Sequence, residues 1–133
     1  MKDKCNMLLE NKYYRIEKVE ADHLEGVFHL RLLPDCDVYR GHFPGSPVCP
    51  GVCHIETIKE CAMYLIGKRL SFTVIRQCRF PAMATPADCP EVEVTVSLCP
   101  ADEGFKITAR ISDAAKTYAE LKGWLTEWKR HEI

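Results

Sequence analysis

Residues 52–66 read VCHIETIKECAMYLI, and their spacing decides what kind of fold the chain can adopt. Val52, Ile55, Ile58, Ala62, Leu65 and Ile66 recur at steps of three and four, the repeat of one helix face. Cys53, Cys61 and Met63 carry apolar character beyond that face, which predicts a helix buried on several sides. Downstream the period changes to two. Residues 71–80 read as a strand with Phe72, Val74, Cys78 and Phe80 on one face. Val92, Val94, Val96 and Leu98 alternate with Glu91, Glu93, Thr95 and Ser97, the pattern of a strand with one wet face. Phe105, Ile107, Ala109 and Ile111 keep that period, and Ala119, Leu121 and Leu125 share a face in a third segment. The connections at 99–104 and 112–115 are short, so these three strands form an antiparallel meander. Upstream, 13–19 and 27–33 are two further strand candidates. Two strands, one long helix and four strands give an α+β class, a mainly antiparallel sheet curled around a central helix.

The whole chain fits one unit. Its 133 residues suit a single domain, 1–133, and no repeat, linker or low-complexity tract divides it. With 47% hydrophobic and 28% charged residues, disorder is excluded as a reading of the bulk of the chain. A net charge of -1 argues against a general nucleic-acid binder. No run of 18 apolar residues is present, and the N-terminal residues lack an apolar signal region, so a soluble cytoplasmic protein is expected. Eight cysteines, at 5, 36, 49, 53, 61, 78, 89 and 99, follow no C-x-x-C spacing. Cys49, Cys53, His54 and Cys61 match no common zinc pattern, so no metal is expected and the cysteines read as buried free thiols.

The segment before the helix, 41–51, runs Gly-His-Phe-Pro-Gly-Ser-Pro-Val-Cys-Pro-Gly. Prolines at 44, 47 and 50 fix φ at three points, and glycines at 41, 45 and 51 allow sharp bends. A stiff loop of this kind can preorganise His42. Pro50-Gly51 would place free backbone N–H groups at a helix N-terminus, where partial positive charge can polarise a carbonyl. Glu56 follows about one turn later. A neutral imidazole, helix-end amides and a protonated carboxyl suffice for elimination beside a thioester carbonyl. The residue types alone leave plainer readings open. His42 can be a hydrogen-bonded loop histidine, and Glu56, Lys59 and Glu60 can form a solvated helix face. His54 reads as a half-buried packing residue or a neighbour supporting the acid. Trp124 and Trp128 read as one face of the last strand or a partner surface.

The run His42-Phe43-Pro44-Gly45-x-Pro47-Val48-x-Pro50-Gly51-Val52, with Glu56 fourteen residues after the histidine, resembles the signature of FabZ-type 3-hydroxyacyl-[acyl-carrier-protein] dehydratases. Arg79-Phe80, followed by Pro86 and Asp88, resembles that family's second motif. The resemblance covers roughly residues 34–88 and implies a hot-dog fold, a homodimer or three such dimers together, and an active site shared between subunits. It implies His42 as the base at the substrate's C2, Glu56 as the acid at the C3 hydroxyl and Gly51 as backbone donor to the thioester carbonyl. Phe43, Phe80 and Met83 would line the acyl tunnel, with Glu60 and His54 supporting the acid. No cofactor is implied, and the implied partner is acyl carrier protein, an acidic protein.

Three departures accompany the resemblance. Glu60 stands where the family usually has glutamine; a second carboxyl there can act on Glu56 or bind a different polar group. Pro81 and Ala82 follow Phe80 where basic residues are usual, which leaves Lys68, Arg69, Arg76 and Arg79 as candidates for docking a carrier. Ala87 replaces a turn glycine. The resemblance implies elimination of water to a trans-2-enoyl thioester in fatty-acid or polyene-type acyl chain biosynthesis, and these changes suggest a specialised branch serving polyene or polyketide-like chains rather than housekeeping lipid synthesis. A thioesterase on the same fold and a silent acyl-thioester-binding subunit are the alternatives to a lyase.

Overall fold

A computed structural model describes residues 7–40 and 47–128; His42 and Phe43 lie outside the described residues. The elements run β1 (Tyr14–Asp22), β2 (Glu25–Leu32), a 3-10 turn at Asp37–Tyr39, α1 (Gly51–Ile66), β3 (Leu70–Arg79), β4 (Glu91–Ala101), β5 (Gly104–Ser112) and β6 (Thr117–Glu127). The two-strand, helix, four-strand order matches the reading from periodicity. All six strands join one sheet in the order β1-β2-β4-β5-β6-β3, with every neighbouring pair antiparallel. β4, β5 and β6 form the expected meander.

Helix α1 packs on one face of the sheet against β2 through β6. The alternating residues of the strands supply the floor of this core: Phe28, Val94 and Ile107 are fully buried, as are Ile58 and Ala62 of the helix. Each such side chain stabilises the fold by about 1.5–3 kcal/mol relative to exposure. The helix ends at Gly67, whose left-handed φ of 77° turns its N–H back to Met63 O at 2.7 Å.

The structure corrects the sequence reading at three places. Val52 belongs to the apolar repeat yet is 71% exposed, because it sits in the first turn of α1. In β3, register shifts between Phe72 and Val74 and between Ile75 and Gln77 break the strict alternation. Val74 is therefore 51% exposed, while Phe72 and Cys78 keep contact with the core, and Phe80 lies beyond the strand end. Among the cysteines, Cys49, Cys53, Cys61 and Cys89 are buried free thiols, Cys36 and Cys78 are half-buried, and Cys99 is exposed.

Strand β3 lies against β6 because Gly123 has no side chain. A Cβ there would stand 2.4 Å from the Val74 carbonyl oxygen, closer than β3 permits.

Candidate active site

The N-terminus of α1 brings the two sequence motifs together. Pro50 takes an extended conformation (φ -66°, ψ 146°) and provides no side-chain hydrogen bond to cap the helix. The first helical amides that turn back are those of Cys53 and His54, both to Pro50 O, at 3.0 and 3.2 Å. Among the described residues the Gly51 N–H, at the positive end of the helix dipole, has no acceptor. The Phe80 ring lies against the Gly51 Cα so closely that a Cβ there would come within 2.8 Å of Phe80 Cζ. One step further back, the Cys49 N–H donates to Ala84 O at 2.7 Å, so the loop before α1 is tied to the segment after β3.

His54 is buried and packs against Phe80, ring centroids 5.8 Å apart. Burial pushes its imidazole down to about 4, which keeps it neutral near pH 7. The expectation of a half-buried packing residue is thus corrected only in degree. Phe80 is 47% exposed and Met83 is 70% exposed, both open to a ligand or to another chain.

Glu56 projects from the second turn, with its Oε1 3.1 Å from Lys59 Nζ; both side chains are about three-quarters buried or more. The ion pair of the plainer reading is therefore present, but its setting is not a solvated face. Glu60 departs further from that reading. It is 1% exposed and accepts four hydrogen bonds. Its Oε2 takes the N–H groups of Leu8 (2.8 Å) and Leu9 (2.9 Å); its Oε1 takes the Glu10 N–H (3.1 Å) and the Tyr14 hydroxyl (2.7 Å). The carboxyl at the unusual position thus binds a different polar group, three consecutive backbone amides. Burial raises its pKa to about 7, and the neighbouring Glu56 carboxyl adds to the rise; the Tyr14 hydroxyl and the Leu9 amide pull the other way. The Glu60 carboxyl, which keeps its proton near neutral pH, thus stands one turn from Glu56 on the same helix.

Sequence reasoning did not find Tyr14 or the 8–10 amides as partners of Glu60. They lie 46 to 52 residues from it, and no local pattern links them. It also did not find the Cys49–Ala84 bond. The only signal for Glu60 was its departure from the usual glutamine. Two of the four candidate docking cations are otherwise engaged: Lys68 pairs with Glu127 at 3.7 Å, and the Arg69 guanidinium lies 4.6 Å from the centre of the Trp128 ring. Among the described residues, no helix is long and apolar enough to cross a membrane.

Comparison with known proteins places these features in a family context. The sequence profile of the ApeI-like family, described as ApeI dehydratase, matches residues 17–121. A 3-hydroxyacyl-[acyl-carrier-protein] dehydratase FabZ of Lactobacillus helveticus is 32% identical over 93 residues, 64% of this chain and 63% of the relative. The FabZ of Caulobacter sp. (strain K31) is 30% identical over 99 residues, 67% of this chain and 61% of the relative. The matched part thus spans less than two thirds of the length of either curated relative. Among solved structures, a chain of the dehydratase heterocomplex ApeI:P from Xenorhabdus doucetiae superposes with a TM-score of 0.71 at 25% identity, covering 85% of this chain and 97% of that one. The antiparallel sheet wrapped on one helix is the hot-dog fold.

Proposed function

We propose, from the premise that the chain belongs to the ApeI-like dehydratase family, that it is a hydro-lyase acting on 3-hydroxyacyl thioesters carried by acyl carrier protein. The base, His42, removes a proton from C2, and the electron pair forms the C2–C3 double bond of the trans-2-enoyl product. The C3–O bond breaks as Glu56 delivers a proton to the leaving hydroxyl, which departs as water. The Gly51 N–H donates to the thioester oxygen while enolate charge develops, a contribution such donors make only as the transition state forms. Phe80 and Met83, with Phe43, line the acyl path. The observation that carries this reading is the α1 N-terminus: no side-chain cap at Pro50, the Phe80 ring packed against Gly51, and Glu56 a turn and a half along the helix.

The polyene-type chain is proposed on the departures from the FabZ pattern, Glu60 above all. The assembly is a homodimer of the cytoplasm, joined along the edge strand β3, where Val74 and Ile75 are exposed. The relative from Xenorhabdus doucetiae, described as a heterocomplex, makes pairing with a second dehydratase subunit the natural contrast to test.

Hydration of a crotonyl thioester, followed by loss of its enoyl absorbance, tests the chemistry. Wild-type protein is expected to be active, with His42→Ala and Glu56→Gln each slowed about 100-fold or more at unchanged stability. Activity surviving both substitutions overturns the mechanism, and release of free thiol in place of hydration identifies a thioesterase.

A further inference from the structure

Glu56 and Glu60 stand one turn apart on α1 in unlike surroundings. Glu56 holds the Lys59 ammonium at 3.1 Å, a contact that favours its carboxylate form. Glu60 is buried, and among the described residues no cation pairs with it. The titrating groups around it are the Glu56 carboxyl and the Cys61 thiol from α1, Tyr14 from β1 and Glu10 from the segment before β1. Burial pushes the Cys61 thiol and the Tyr14 hydroxyl up, so both stay protonated at neutral pH and neither takes a proton from Glu60. The Glu56 and Glu60 carboxyls lie in hydrogen-bonding contact. Two carboxyl groups hydrogen-bond to each other only when one of them carries a proton. Lys59 draws the charge to Glu56 and burial keeps Glu60 neutral, so the shared proton rests on Glu60.

The four donors around Glu60 matter once that proton has gone. An ionised carboxylate offers about four acceptor positions, and the Leu8, Leu9 and Glu10 amides and the Tyr14 hydroxyl fill all of them. A protonated carboxyl needs one position for its own O–H, and the Glu10 amide, the longest bond at 3.1 Å, is the one to yield. Burial thus stabilises the acid and the donors stabilise the anion. A carboxyl balanced in this way releases a proton and takes it back at little cost near neutral pH. Glutamine at the same position keeps an N–H to offer Glu56 but has no proton to release.

We propose that Glu60 is the proton store of the elimination: the proton delivered to the leaving hydroxyl is replaced on Glu56 from Glu60, one turn further along α1. The proposal rests on the dehydratase reading above and assigns a role to a carboxyl that reading leaves unused. In the step, a proton passes from Glu56 to the C3 hydroxyl, the C3–O bond breaks and water leaves. The Glu60 O–H bond breaks as its proton moves to the Glu56 oxygen, and Glu60 is left as a carboxylate held by its four donors. His42 holds the proton taken from C2. After the product departs, His42 loses that proton to water and Glu60 regains one through Glu56, so the protein returns to its starting state. Glu60 touches no substrate atom and acts only through Glu56.

The test follows dehydration of 3-hydroxybutyryl-N-acetylcysteamine, read as the initial gain of enoyl absorbance, from pH 5 to pH 9. Wild type is compared with Glu60→Gln and with Glu60→Gln/Lys59→Met. His42 governs the rising limb of every profile and cancels in the ratio of two proteins. The ratio of kcat, wild type over Glu60→Gln, should be near one at pH 5 and reach about tenfold or more by pH 8, with KM unchanged. Removing the lysine lets Glu56 keep a proton of its own, so the double variant should regain most of the activity lost at pH 8. A loss of packing alone would lower the rate equally at every pH. A ratio that stays flat with pH overturns the proposal, and so does a double variant no faster at pH 8 than Glu60→Gln. A second measurement needs no turnover: carbon-13 NMR titration of the glutamate carboxyls, with the Glu60 signal assigned by its loss in Glu60→Gln. That signal should titrate near neutral pH and shift its midpoint when Glu56→Gln is introduced; a midpoint indifferent to Glu56 overturns the shared proton. If no thioester is dehydrated by any of the proteins, the dehydratase reading fails by itself, and the NMR titration still decides whether the two carboxyls share a proton.

Discussion

Replacing Glu60 by glutamine keeps the shape of the side chain and removes its titration. In the folded chain this carboxyl titrates near 7 against an ordinary value of 4.5, because burial and the Glu56 carboxyl oppose its charge more than its donors support it. Between those values the folded protein holds a proton that the unfolded chain has released. Unfolding therefore releases a proton, and stability falls as pH rises through the window. The gap between the two values corresponds to about 3 kcal/mol lost by pH 8. For a chain of this length that is about 10 °C in Tm.

Urea titrations of wild type and Glu60→Gln at pH 5 and pH 8 measure this directly. The stability difference between the two proteins is expected to shift by about 3 kcal/mol in favour of glutamine on going to pH 8. His54, held neutral by burial, contributes the same slope to both proteins and cancels in the difference. Introducing Glu56→Gln into both should shrink the shift, since that carboxyl is one cause of the raised value. Glu60→Ala leaves the buried Tyr14 hydroxyl without its partner and should cost about 2–4 kcal/mol at either pH. A difference between wild type and Glu60→Gln that stays flat from pH 5 to pH 8 refutes the reasoning: the four donors would then hold the carboxylate charged throughout.

Other expected outcomes follow from particular contacts. Gly51→Ala pushes a Cβ into the half-exposed Phe80 ring, which can swing aside, so Tm should move by only a few degrees while crotonyl hydration falls about 10- to 100-fold. Gly123→Ala meets the backbone of β3 at Val74 O, which cannot yield so readily; chemical denaturation should show a loss of about 3–5 kcal/mol. With a maleimide under native conditions, Cys99 should react fast, whereas Cys49, Cys53, Cys61 and Cys89 should react only as the chain unfolds. Rapid native labelling of Cys61 would contradict its place in the core.

The strands of the meander were legible because their alternation is local: Val92 to Leu98 declare a buried face by period alone, and Ile107 to Ile111 repeat it. Helix α1 was legible for the same reason, and Pro50-Gly51 marked its start. The extra residues in β3 were not, because a register shift is a relation to β6 and leaves no mark on the composition of β3 itself.

At the candidate site, the residues proposed to carry the chemistry, His42, Gly51 and Glu56, were readable as types in a proline- and glycine-rich segment followed by a helix. The environment of the proposed acid was not. Glu60 looks from its neighbours like a charged residue on a wet face, yet three amides and a hydroxyl from the chain's beginning close over it. The cations of β5, β6 and β3, without an ion pair among the described residues, likewise look ordinary in one dimension, since each is a polar residue at an outward position of its strand. Local periodicity records which face of an element is buried. Only the meeting of distant segments settles which polar groups find partners, because hydrogen bonds and ion pairs act over a few ångströms of space whatever the distance along the chain.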